Sequence, residues 1–196
     1  MNYIETCKEV ILRPSDFYRK MPTTGGYSEP VIFVVISLII SLLLNVIVSY
    51  GMFIFGIHSS ILTFGSIPFS RFDFSIFSYV IELFFITVAG IFIGPLILNF
   101  LYKTLGGTGS YEGTVRFMCY GYAIYLISWI PLLYLIAIIY AIYIVIVGGS
   151  FVHNVSMERS AVVVLLVYPV TIFIFIIIIA ILVGFISVLF GLSSFD

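Results

Sequence analysis

Between Val31 and Leu189 the chain carries apolar runs so long and so poor in charge that no water-soluble core of this size could hide them. The runs are 31–57, 74–102, 114–147 and 161–189. The first has 27 residues, about 40 Å as a helix, against a hydrocarbon core of roughly 30 Å. The third has 34 residues, about 51 Å, too long for one crossing, so it must turn. Trp129 and Pro131 mark that turn, because Trp favours the membrane interface and Pro breaks helices. The expectation is all-α: a polytopic membrane protein with five transmembrane helices, at about 31–57, 74–102, 114–130, 132–147 and 161–189.

Composition agrees and removes alternatives. With 62% hydrophobic and 9% charged residues and a mean hydropathy of +1.28, water is not the main solvent. Eight Lys and Arg in all cannot build a nucleic-acid groove. No short-spaced set of Cys7, Cys119, His58 and His153 suits a metal, and no paired carboxylates, HExxH or Ser/His pair suits catalysis. The chain therefore reads as a non-enzyme without cofactor. Both cysteines are expected to stay reduced.

Residues 1–29 form a separate N-terminal segment. YIETCKEVIL, at 3–12, places Tyr3, Cys7 and Val10, with Ile4 and Ile11 beside them, on one side of a helix, and Glu5, Lys8 and Glu9 on the other. Such an amphipathic helix suits the headgroup layer. Pro14 ends it, and Ser15-Asp16 is a candidate cap for a second short turn. No cleavable signal peptide is expected at this end. Residues 30–192 are read as one transmembrane domain, and 193–196 as a short tail.

Within the spans, polar and small residues single themselves out. Asn45 in the first span suits a bond to a neighbouring helix. Glu82 in the second span is costly in hydrocarbon unless protonated or paired, and is a candidate proton or cation site. Gly90 and Gly94 form a small-xxx-small pair, read as internal packing ahead of a homo-oligomer seam. KTLGGTGSYEG, at 103–113, lacks the Gly-Lys-Ser/Thr ending of a phosphate loop, and Ser110 reads as a helix cap. GGSFVHNVSMERS, at 148–160, reads as a polar loop with Ser156 capping the last helix. Tyr120-Gly121-Tyr122 starts the third span: two tyrosines on different faces around a glycine that admits a neighbouring backbone.

Five spans put Lys8, Arg13, Arg19, Lys20, Lys103, Arg116 and Arg159 on one side and Arg71 on the other. That bias places the N-terminus in the cytoplasm and the C-terminus opposite.

This layout, with CYGYAIYLISWIP at 119–131, the Gly-rich loop before it and GGSFVHNVSMERSA after it, resembles the Yip domain family of five-span, Rab/Ypt-interacting membrane proteins. The resemblance implies a non-enzymatic protein, tied in eukaryotic relatives to Rab GTPases and vesicle traffic. The long N-terminal region and Asp-Leu-Tyr-Gly-Pro signature of those relatives are absent here, so the chain looks more like a short prokaryotic member at the cell membrane. The reading is a protein that organises membrane or recruits a cytoplasmic, GTPase-like partner. The alternative is a small transporter or channel centred on Glu82.

Overall fold

The computed structural model describes residues 2–55, 72–130 and 133–189, and every regular element among them is helical. The order is α1 (Tyr3–Leu12), α2 (Pro14–Lys20), α3 (Ser28–Ile54), α4 (Phe72–Thr104), α5 (Tyr111–Gly121), a 3-10 turn (Tyr122–Ile124), α6 (Tyr125–Ser128), α7 (Tyr134–His153) and α8 (Met157–Leu189). Among the described residues, two stretches are long and apolar enough to cross a membrane, Ser28–Met52 and Tyr134–His153. The expected return loop between the first two spans lies largely outside the described residues, at 56–71.

Local chemistry explains the boundaries. Pro14 is the first residue of α2, where its missing N–H costs nothing. The capping position is therefore Arg13, not the expected Ser15 or Asp16, and it has no side-chain cap. The Ser110 hydroxyl accepts from the Gly113 N–H at 3.0 Å and caps α5 as expected. Ser156 likewise accepts from the Arg159 N–H at 3.3 Å at the start of α8. α7 ends on Asn154, whose φ of 54° is the left-handed stop that asparagine tolerates.

Two expectations are corrected. The stretch 148–160 is not a loop throughout, because α7 runs on through Gly148, Gly149 and Ser150 to His153. Tertiary packing outweighs the poor helix propensity of those glycines: Phe117 fills the notch at Gly148 and Tyr102 the notch at Gly149. Nor is 114–130 one helix. α5 begins earlier, at Tyr111, and tightens to the 3-10 turn before α6. The Leu133 N–H then donates to the Ile130 carbonyl at 2.9 Å, so the connection to α7 is tight.

α1, α2, α5 and α7, with Phe33 from α3, Leu98 and Tyr102 from α4 and Val163 and Val164 from α8, build the main core, which includes Cys7, Val10, Phe17, Tyr18, Tyr120 and Ile144. α1 buries Cys7 and Val10 of the face predicted for it, together with Thr6, and leaves Glu5, Lys8 and Glu9 exposed; Ile4, expected on the inner side, is instead 63% exposed. α3 runs along α5 and α6, while α4 packs on α5 and α8.

Candidate functional site

A bonded polar region holds the N-terminal segment onto α5. Arg116 is 1% exposed, the largest fully buried side chain described. Its Nε donates to the Pro22 carbonyl at 2.8 Å and its Nη1 to the Gly26 carbonyl at 2.5 Å, while Nη2 lies 3.9 Å from the Glu29 carboxylate. Two carbonyls and one carboxylate are what a buried guanidinium fork needs. One turn earlier on α5, Glu112 accepts from the Gly26 N–H at 2.6 Å. Gly25 and Gly26 have φ of 117° and 85°, values that an L side chain resists, and this bend turns the strap 22–29 toward both groups.

The two short helices are pinned separately. On α2, Tyr18 donates to the Phe117 carbonyl at 3.2 Å. Burial pushes this phenol well above its usual range, keeping it a donor. On α1, Tyr3 bonds the Ser37 hydroxyl at 2.8 Å, and Ser37 donates onward to the Phe33 carbonyl at 2.8 Å. Ser37 has one proton, so Tyr3 is the donor to it. Burial pushes the Tyr3 phenol up to about 12. Tyr140 on α7 donates to the Ile11 carbonyl at 2.5 Å, holding the other end of α1.

A second network lies where α4, α5, α7 and α8 meet. His153 is fully buried, stacks on Tyr102 and bonds the Thr114 hydroxyl through Nε2 at 2.9 Å. Thr114 gives its own proton to the Ser110 carbonyl at 2.9 Å, so Nε2 carries the hydrogen, and the bare Nδ1 is buried with no hydrogen-bond partner among the described residues. Gly109 is packed so closely on this ring that an added Cβ would come within 2.7 Å of Nδ1. Tyr102 bonds Ser160 at 2.6 Å, and Ser160 donates to the Ile146 carbonyl at 2.6 Å. Each hydroxyl in the chain Tyr102, Ser160, Ile146 thus has one proton and one acceptor.

The candidates from sequence do not gather at one site. Tyr120 is buried, edge-on to Phe17 and Phe33 with both centroids 5.2 Å away. Tyr122 points to another face, stacks on Tyr125 and fills the space beside Gly90. Gly90 therefore meets this chain's own third segment, as does Gly94, where an added Cβ would lie 3.9 Å from the Met118 methyl. Gly121 does not admit a backbone. An added Cβ there would touch only the Ile144 and Tyr18 side chains, at 3.7 and 3.8 Å, so the glycine notch is corrected to ordinary packing. Asn45 is half-buried on α3. Glu82 lies on α4, and its side chain is outside the described residues.

Sequence reasoning missed the clamp and the histidine network. In the sequence Arg116 stands out only as a charge that orients the chain. The available signal is a cation one and a half turns inside a helix, directly between Val115 and Phe117 at the start of a long apolar run.

A model of the Yip1 domain matches residues 8–180. The chain belongs to the Yip1 domain family. No curated protein and no solved structure matches it. The Yip1 match begins at Lys8, within α1, so the clamped N-terminal segment lies largely inside the domain rather than before it. Over the described residues the Yip1 match is a helical membrane domain, and both polar networks belong to it.

Proposed function

We propose that this Yip-family membrane protein does no chemistry and acts as a recruiting platform, presenting its N-terminal face to a soluble partner in the cytoplasm. The observation that carries the reading is the Arg116 clamp, which fixes the strap 22–29 while leaving every residue from Pro22 to Glu29 exposed. A flexible anchor would not need a buried guanidinium. Beside the strap lie Asp16, Arg19 and Lys20, also exposed, giving a surface of mixed charge suited to protein contact.

The cytoplasmic side follows from seven cations against one on the two sides of the expected spans. A GTPase-like partner follows from the family resemblance alone. The test is purification of the tagged full chain in mild detergent, with mass spectrometry of what accompanies it. A stoichiometric soluble partner that is lost with Arg116→Gln, while the helical content stays unchanged, supports recruitment. Identical co-purifying sets from both chains would sink it.

A further inference from the structure

The depth of α1 sets the water boundary, and the hairpin beyond it is short. α3 and α5 run parallel in fixed register: Glu29 meets Arg116, and four residues on, Phe33 meets Tyr120. Continuing that register, Ile130 at the hairpin tip is level with Leu43, and α3 runs about 16 Å farther to Ile54. α4 is antiparallel and agrees. Stepping from Met118 to Tyr122 moves from Gly94 back to Gly90, which sets Ile130 level with Glu82, about 15 Å short of the start of α4 at Phe72. α8 agrees as well, because Ser160 meets Ile146 on α7 and α8 then continues to Leu189.

α1 crosses this bundle at the level of Phe33 and Ser37, which Tyr3 touches, with Leu126 beneath it. Its outer side alternates two stripes. Ile4 and Leu12 are 63% and 73% exposed, and Glu5, Lys8 and Glu9 are exposed beside them. Three charges cannot sit in hydrocarbon, while the two large apolar side chains gain from touching it, so α1 lies in the headgroup layer. Below that layer, α3 still has about 26 Å from Ser37 to Ile54, and α4 about 27 Å from Gly90 to Phe72, close to a hydrocarbon core of roughly 30 Å. The hairpin has only about 12 Å from Tyr122 to Ile130. The Leu133 N–H donates to the Ile130 carbonyl at its end, which holds the two arms within one turn of each other.

We infer that α3, α4 and α8 cross the membrane, whereas the hairpin of α5, α6 and α7 enters from the N-terminal side and turns back within it. Three crossings keep the termini on opposite sides, as five would, so the charge bias is unaffected. The consequence is functional. The leaflet on the N-terminal side holds three helices, both hairpin arms and the apolar edge of α1; the other leaflet holds three helices. A body wider in one leaflet expands that leaflet, so the protein favours membrane that is convex toward its N-terminal side, and at high density bends it that way. The inference rests on the membrane reading above and does not need a soluble partner.

Two measurements on the full chain test it. In vesicles with the N-terminal side outward, a membrane-impermeant maleimide placed on the opposite side leaves Leu133→Cys unlabelled, and labels the same cysteine once each hairpin arm is lengthened by two helical turns. In a mixture of small and large vesicles of one lipid composition, the protein-to-lipid ratio is about threefold higher on the small ones, and the lengthened hairpin loses that preference. Labelling of Leu133→Cys at the original length, or equal density on both vesicle sizes, overturns the proposal. Release of the protein from vesicles by alkaline carbonate would overturn the membrane reading as well, whereas failure to capture a soluble partner bears on recruitment alone.

Discussion

Tyr102 lies flat on His153, with ring centroids 4.1 Å apart and planes 10° from parallel. The two come from the ends of α4 and α7, so the stack ties the exit of the second span to the exit of the hairpin. Gly149 makes the fit possible by leaving room for the Tyr102 ring.

Gly149→Ala therefore forces Tyr102 off His153, while Gly121→Ala adds a methyl at ordinary contact distance. The first should cost about 1–3 kcal/mol, and the second less than about 0.5 kcal/mol. Thermal unfolding in detergent, followed by aggregation, measures both; equal midpoints for the two variants would contradict the packing described here.

Arg116→Met keeps much of the side-chain volume and removes the guanidinium that holds the Pro22 and Gly26 carbonyls. The strap 22–29 should come loose at a cost of about 1–3 kcal/mol. Limited trypsin digestion reads this directly, because cleavage after Lys20 should be several-fold faster in the variant. Unchanged cleavage would mean the clamp does not hold the strap.

Burial pushes the Cys7 thiol above its ordinary range. A raised thiol pKa favours the folded state below the unfolded value, about 8.5, and that contribution is lost as pH rises through the folded value. Docking of α1 should thus weaken toward alkaline pH. Alkylation of Cys7 checks it: slow in the folded protein at neutral pH, fast after unfolding, and accelerating above pH of about 8.5. Rapid neutral-pH labelling of the folded chain would show that α1 is not docked.

Glu82→Gln is nearly isosteric and removes the charge. A recruiting platform should keep its helical content, its midpoint within about 0.5 kcal/mol and its co-purifying partner. Proton flux into liposomes should be the same for both chains. A flux present in the parent and abolished in the variant would favour transport instead.

The sequence made some levels of this architecture legible because their signals are local. Ser110, Pro14 and Ser156 act within one turn of themselves, and the amphipathic pattern of 3–12 depends only on a helical period. Gly148 and Gly149 misled for the same reason. Their helix is set by Phe117 and Tyr102, 31 and 47 positions earlier in the chain, and no local pattern carries that information. Arg116 looked like a topological charge because its carbonyl partners lie 94 and 90 positions away. The hairpin's depth was hidden because 34 apolar residues divide into two arms of the same length whether or not the tip crosses; only the register against α3 and α4 separates the two cases.

The long reach of the clamp also orders events during synthesis. Pro22 and Arg116 are 94 positions apart, and Ile11 and Tyr140 are 129 apart. At a synthesis rate of roughly 5–20 residues per second, the first-made helices wait about 5–25 s before the groups that hold them exist. Throughout that interval α1 has only α3 to touch, through Tyr3 against Phe33 and Ser37, and α2 lacks the Phe117 carbonyl that Tyr18 bonds. The N-terminal face is thus completed only after the hairpin that holds it has been made.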